Sequence, residues 1–291
     1  NTRRNALATK IEQVMEADIS ADLREAFSNW LAAMNDAERS RETGDRLKEL
    51  LKDTAGNDLL AEIARCTDLF TKKSHWIVGG DGWAYDIGYS GLDHVMAQSD
   101  DINILVMDTE VYSNTGGQSS KATQTGAVAK YSASGKKVSK KDLARMIITY
   151  GHAYVASVSM GANKQQMLKA FVEAERHPGP SLIVCYAPCI AHGLRAGMGK
   201  TQSEAKLAVE SGYWPMFRYN PALIDDGKNP FTLDYKEPDG SLQKFLSNEV
   251  RFAALEKSHP EESKRLRAKI EEEVNDRYRL LKAMADHGIG V

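Results

Sequence analysis

The sequence predicts an α/β fold built on a mainly parallel sheet, with a helical preface before it and a helical arm after it. From residue 74 onward, short apolar runs alternate with helical stretches, as in parallel strands joined by crossover helices. Before them, residues 5–70 place apolar side chains every three to four positions, the period of a helix with one buried face. After them, Leu266, Ile270, Val274, Tyr278, Leu281 and Met284 line one side of a single helix over 261–286.

In chain order, the preface (1–72) is read from Leu7, Ile11 and Val14, then Leu23, Phe27, Trp30 and Leu31, then Leu47, Leu50 and Leu51. Strands are expected at 75–79, 102–108, 153–158 and 181–187, with helices over 87–98, 141–150 and 163–175 between them. Gly151 and Gly161 fall at plausible boundaries of these elements. Beyond Pro188 a Gly-rich loop leads to a helix at 202–212 and a short strand at 216–219, and a Pro/Gly/Asp-rich connection covers 221–240. These segments group as a preface (1–72), an α/β domain (73–220) and a C-terminal extension (221–291).

The chain has 291 residues, and its 38 basic and 40 acidic side chains nearly cancel to −2, which gives no global electrostatic case for nucleic acid. A charged ligand must therefore be held locally. No stretch approaches the roughly 20 apolar residues of a membrane span, and the start lacks the apolar segment of a signal peptide, so no membrane partner and a cytoplasmic location are expected. Cys66, Cys185 and Cys189 form no disulfide framework and fit a reducing compartment. The chain opens on Asn1, so a fragment or processed chain is expected.

The chemistry concentrates at Gly80-Asp81-Gly82, which follows the apolar run Trp76-Ile77-Val78 and precedes a helix. Ligands of open α/β sheets bind at that strand-to-helix edge. Glycines there let the backbone approach phosphate oxygens, and a helix N-terminus favours an anion. The next strand ends in Asp108-Thr109; parallel pairing brings Thr109 and the Val111 carbonyl towards Asp81, and with diphosphate oxygens they form an all-oxygen, octahedral site for Mg²⁺ or Ca²⁺. Gly-Asp-Gly alone is a common turn; the spacing to a second polar loop on the same edge is what gives it weight.

These residues resemble a known family. Gly-Asp-Gly followed after this interval by a polar ligand is similar to the thiamine diphosphate signature, with Thr109 where Asn is usual. The run from Glu110 to Thr123, Glu-Val-Tyr-Ser-Asn-Thr-Gly-Gly-Gln-Ser-Ser-Lys-Ala-Thr, resembles the corresponding loop of the pyruvate:ferredoxin (or flavodoxin) oxidoreductases, in their C-terminal thiamine-binding domain. The likeness extends over about 66–286 and includes Tyr213-Trp214-Pro215 and Gly227-Lys228-Asn229-Pro230-Phe231.

The resemblance implies a three-layer αβα fold that binds thiamine diphosphate and Mg²⁺. Gly80, Asp81, Gly82 and Trp83, with Thr109, Glu110, Val111, Tyr112, Ser113 and Asn114, would line the diphosphate and thiazolium, and Asp81, Thr109 and Val111 would hold the metal. Asn114 would lie near the reactive carbon and donate to an oxygen that gains charge. Cys189 would be the last ligand of a 4Fe-4S cluster whose other three thiolates come from an upstream segment. The implied reaction converts pyruvate and coenzyme A to acetyl-CoA and CO₂, with electrons passing through 4Fe-4S clusters to ferredoxin or flavodoxin. A homodimer is expected for the complete enzyme. The family's thiamine lies between two domains, the other supplying an acidic residue, so little or no turnover is expected from this chain without its remaining domains.

Other 2-oxo acid oxidoreductases, a non-redox thiamine enzyme and a non-catalytic assembly module stand as rivals, and Cys189 argues against the second. Cys185 and Cys66 read as core residues, and Cys189 with His192 as a weak case for a nucleophile and base or a zinc site. His75, His94 and His152 read as packing or surface residues. The basic run Lys136, Lys137, Lys140 and Lys141 reads first as a solvated loop, with contact to an anionic cofactor or an acidic ferredoxin as the alternative.

Overall fold

The computed structural model of the protein describes residues 2–52 and 57–288. Asn1, residues 53–56 of the expected preface and residues 289–291 of the expected extension lie outside them. The chain divides into two compact units, Asn1–His75 and Trp76–Val291.

The first unit contains α1 (Thr2–Met15), α2 (Ala21–Ala33), α3 (Ala37–Leu50) and α4 (Asp58–Ala64). Ser20, Asp36 and Asn57 cap α2, α3 and α4 by accepting backbone N–H groups three residues on. The stripes read from sequence meet in one core of Leu7, Ile11, Val14, Phe27, Trp30, Leu47, Ile63 and Phe70, with Cys66 at its margin. Trp30 donates its indole N–H to the Phe70 carbonyl at 2.8 Å, which satisfies a fully buried polar group.

The second unit runs β1 (Trp76–Gly80), a π-helical turn (Gly82–Ile87), α5 (Tyr89–Met96), β2 (Asn103–Asp108), α6 (Leu143–Ile148), β3 (Tyr154–Val158), α7 (Lys164–Arg176) and β4 (Ser181–Tyr186). It continues with α8 (Thr201–Glu210), β5 (Phe217–Tyr219), α9 (Ala222–Asp225), β6 (Phe231–Leu233), α10 (Leu242–Asn248), α11 (Val250–Ser258) and α12 (Pro260–His287). The sheet order is β1-β2-β4-β3-β5-β6. Its first four strands are parallel, and β5 and β6 add an antiparallel edge.

Alternation along the strands builds the three layers. Leu182, Val184 and Tyr186 face the large core shared with α5, α6, α8 and α12, while Ile183 and Cys185 face Ala170 and Ala174 of α7. The expected αβα architecture with a mainly parallel sheet is therefore present. Of the expected α12 stripe, Leu266, Ile270, Val274 and Leu281 are buried, and Met284 packs partly against the same core. The connection expected over 221–240 contains α9 and β6, too short for a periodic signal. Parallel pairing sets Gly80 beside Met107 and Asp108 beside Tyr186, so the loops after β1, β2 and β4 open on one edge.

Candidate active site

Asp81 begins the turn after β1, is 1% exposed, and lies against the loop that leaves β2. Its Oδ1 accepts from Thr109 Oγ1 at 2.9 Å and from Thr109 N at 3.3 Å, and its Oδ2 accepts from Ser120 Oγ at 2.7 Å. Thr109 Oγ1 also stands 3.0 Å from the Val111 carbonyl oxygen. One hydroxyl proton serves only one of its two acceptor neighbours, so three oxygens converge with fewer protons than contacts.

Glu110, between Thr109 and Val111, makes that convergence possible. Its φ is 58°, a left-handed conformation that is costly for a non-glycine residue, by about 1–3 kcal/mol. The kink sends Thr109 and the Val111 carbonyl to the ligand edge and the Glu110 carboxylate inward. There it accepts from Lys140 Nζ at 3.1 Å, from Arg251 Nη1 at 2.8 Å and from the Tyr213 hydroxyl. Its neighbour Asp108 accepts from Lys140 Nζ and the Tyr85 hydroxyl, each at 2.7 Å, and from the Glu110 backbone N–H at 3.0 Å. Arg251 also donates to Glu249 at 2.6 Å. Cross-links over 103 and 141 residues, to Tyr213 and Arg251, thus hold the strained position.

The two carboxyls that share Lys140 titrate in opposite directions. Burial pushes both up, and Lys140 pulls both down; Glu110 alone also has Arg251 and Tyr213, and it ends below its usual range. Asp108, further repelled by Asp81 and Glu110, ends at about 6. Asp81 is likewise raised, by burial first, against hydrogen bonds from Ser120 and Thr109. Among the described residues it has no ion pair, whereas Asp108 and Glu110 both contact Lys140. The local deficit of positive charge therefore lies at Asp81, where the oxygens converge, and this donor set fits a hard divalent cation.

The basic run requires a correction. Lys140, its side chain 12% exposed, is wedged between Asp108 and Glu110 rather than solvated, and Lys136 donates to the carbonyls of Ser120 at 2.9 Å and Thr123 at 2.6 Å. Burial lowers the Lys136 ammonium to about 8. Lys137 remains exposed, as expected. Carboxylates and carbonyls from distant segments override the tendency of a charge run to solvate.

The glycines divide by cause. A Cβ at Gly80 would meet nothing within 4 Å, so the backbone lies open there. A Cβ at Gly82 would collide with the Tyr112 ring, whose hydroxyl donates to the Gly82 carbonyl at 3.2 Å. Gly82 thus permits Tyr112 to close over the turn. Trp83 folds back beside Gly79 and Gly88, where any Cβ would strike its ring. Ser113 and Asn114 lie in a short turn, Asn114 exposed, and the glycine after Thr115 closes it at φ 118°.

A family model described as the pyruvate-ferredoxin oxidoreductase insertion domain matches residues 3–59. Another, the thiamine pyrophosphate enzyme C-terminal TPP binding domain, matches residues 54–185. Pyruvate:ferredoxin oxidoreductase of Moorella thermoacetica is 55% identical over 290 residues, which cover 98% of this chain and 25% of that protein. Over nearly its whole length the chain is thus similar to proteins named pyruvate:ferredoxin or pyruvate-flavodoxin oxidoreductase. Pyruvate-flavodoxin oxidoreductase of Klebsiella pneumoniae is 49% identical over 283 residues, 97% of this chain and 24% of the relative. The Euglena gracilis protein named pyruvate dehydrogenase [NADP(+)], mitochondrial, is 42% identical over 286 residues, 98% of this chain and 16% of the relative. The chain spans about a quarter of the length of the first two relatives.

Cys189 lies past the end of β4, on the edge that carries Asp81 and Thr109. Its Sγ accepts from the Ala191 N–H at 3.4 Å. A 4Fe-4S cluster takes four thiolates. Among the described residues no group of three or more His, Cys, Asp or Glu side chains could hold a metal ion, and Cys189 supplies one thiolate, so these residues alone do not fit a cluster. Cys185 is buried, and burial followed by Asp108 pushes its thiol up to about 11, as suits a core residue. Sequence reasoning missed Ser120, Tyr213, Glu249 and Arg251 as supports of the site; Ser120 and Tyr213 lie inside the quoted motifs, whereas no local pattern marks Glu249 or Arg251. Among the described residues, no helix is long and apolar enough to cross a membrane.

Proposed function

We propose that this chain supplies the diphosphate and Mg²⁺ half of a thiamine diphosphate site, in an enzyme that oxidatively decarboxylates pyruvate to acetyl-CoA and CO₂. The observation that carries the proposal is the convergence of Asp81 Oδ1, Thr109 Oγ1 and the Val111 carbonyl, with O···O spacings of 2.9 and 3.0 Å, at the ends of adjacent parallel strands. Asp81, Thr109 and Val111 would ligate Mg²⁺, and the open backbone at Gly80 leaves room for a phosphate. Bound thiamine diphosphate supplies the electron sink that decarboxylation of a 2-oxo acid needs. The chain's own part is positional and electrostatic. Ser120 orients Asp81, Lys140 and Arg251 hold Glu110, and exposed Asn114 is free to donate an amide N–H to a substrate oxygen as it gains charge.

Similarity to these oxidoreductases supports coenzyme A and ferredoxin or flavodoxin as partners, Cys189 as a ligand to a 4Fe-4S cluster completed by other segments, and a homodimeric complete enzyme in the cytoplasm. The Euglena relative's name carries NADP⁺, so acceptors differ among relatives. Calorimetry with Mg²⁺ and thiamine diphosphate tests the site: saturable, Mg²⁺-dependent heat that disappears in Asp81→Asn is expected. Heat that persists unchanged in Asp81→Asn would remove Asp81 from the site. Pyruvate-dependent viologen reduction is expected only when the remaining domains are present; robust reduction by the 291-residue chain alone would overturn that expectation.

A further inference from the structure

The loop that bears the oxygen ligands and the turn that bears Cys189 meet through one side chain. His192 is fully buried, and its Nε2 lies 2.7 Å from the Thr109 carbonyl oxygen. A carbonyl only accepts, so Nε2 carries the proton and donates it. The Cys189 backbone N–H points to His192 Nδ1 at 3.4 Å and only donates, so Nδ1 accepts. One imidazole therefore bonds Thr109, across 83 residues, and Cys189, three residues away.

The surroundings restrict that ring. Tyr186 stacks against it with ring centroids 6.2 Å apart, and Glu249 Oε1 lies 3.7 Å from Nδ1. Glu249 is itself held by Arg251, the residue that also pairs with Glu110. Behind the ring, the Val250 N–H donates to the Gly193 carbonyl at 3.0 Å, and Gly193 takes φ 66° where a Cβ would press on Val250. The turn thus has few ways to shift without breaking the bond to Thr109.

We propose that His192 is a positioning residue that locks the Thr109–Val111 ligand loop and the Cys189 turn into one unit, fixing the Cys189 thiol relative to the oxygen ligands. The purpose assigned to the lock rests on the metal–diphosphate reading above, but its test does not. The two bonds leave from different ring nitrogens, so they can be removed one at a time: Gln places an amide N–H near Nε2, and Asn places an amide oxygen near Nδ1.

Amide hydrogen exchange of segments 109–113 and 189–193, with the alkylation rate of Cys189 by iodoacetamide, reads each side of the lock. His192→Phe should quicken exchange in both segments and raise Cys189 alkylation about tenfold, the size of effect that loss of one buried hydrogen bond produces. His192→Asn should quicken 109–113 more than 189–193, and His192→Gln should do the reverse. Should the Phe variant fail to fold, this opposed pair still decides the matter. Change confined to 189–193 in all three variants would make His192 a local turn residue and overturn the proposal, as would no change in variants that melt like the parent. Protection of 109–114 in the parent by Mg²⁺ with thiamine diphosphate is a separate result. Its absence would remove the cofactor reading and leave the lock standing.

Discussion

Thr109 and Glu110 are neighbours in sequence that face opposite environments, and the contrast separates what the site needs for ligand chemistry from what it needs to stand. Thr109 faces oxygens that outnumber the available protons, beside a carboxylate that makes no ion pair among the described residues. Glu110 faces two cations and a phenol that satisfy it. The ligand side is under-satisfied and so can accept a metal; the inner side is closed and so can hold a strained backbone. Substitutions on the inner side should cost stability, and those on the ligand side should cost binding while leaving the fold intact.

The largest effect is expected from Arg251→Ala, which leaves Glu110 and Glu249 buried without their guanidinium and should destabilise the chain by about 3–5 kcal/mol in urea unfolding. Acid sharpens the same point. The folded Glu110 pKa is lowered to about 2 from 4.5, so its ionised form contributes stability above pH 4.5 that is lost as pH falls through about 2. The stability gap between the parent and Glu110→Gln should therefore be widest near neutral pH and narrow over that window; a gap independent of pH would contradict the pairing.

On the ligand side, Asp81→Asn should weaken Mg²⁺-dependent thiamine diphosphate binding at least about 100-fold, or roughly 2.7 kcal/mol. Its melting temperature should hold or rise. Asp81's pKa is raised, so the ionised form is the one the fold disfavours, and a neutral amide relieves that cost at neutral pH. A marked drop in melting temperature would show that Asp81 belongs with the inner network. The glycines divide in the same way. Gly82→Ala should destabilise by about 1–3 kcal/mol by displacing the Tyr112 ring, whereas Gly80→Ala should leave stability within about 0.5 kcal/mol and weaken cofactor binding alone. The smallest stability change belongs to exposed Asn114: Asn114→Ala should alter unfolding by less than about 0.5 kcal/mol while lowering kcat in the complete enzyme.

The ligand side was legible in sequence because strand-end glycines, a carboxylate and a hydroxyl leave a local pattern. The four parallel strands were legible because each is a compact apolar run bounded by turn residues. The inner side was not. Lys140 sits in a run of lysines whose neighbours Lys137 and Val138 are exposed, and nothing local distinguishes the ion-paired ammonium from the solvated one. Arg251 reaches Glu110 across 141 residues, a contact that no periodicity encodes. The short strand Phe231–Leu233 pairs on the antiparallel edge through three residues, too few to show alternation. His192 was visible beside Cys189, but its partner is the Thr109 backbone, and a carbonyl has no sequence signature.

The positive φ of Glu110 has a further consequence. A kink braced by Lys140 and Arg251 is set when the chain folds, so the Thr109–Val111 loop holds its shape before any ligand binds. Little conformational freedom is then left to lose on association. Affinity in such a preorganised loop depends on desolvation and metal coordination, and an unbraced glycine at position 110 would keep the kink yet bind more weakly.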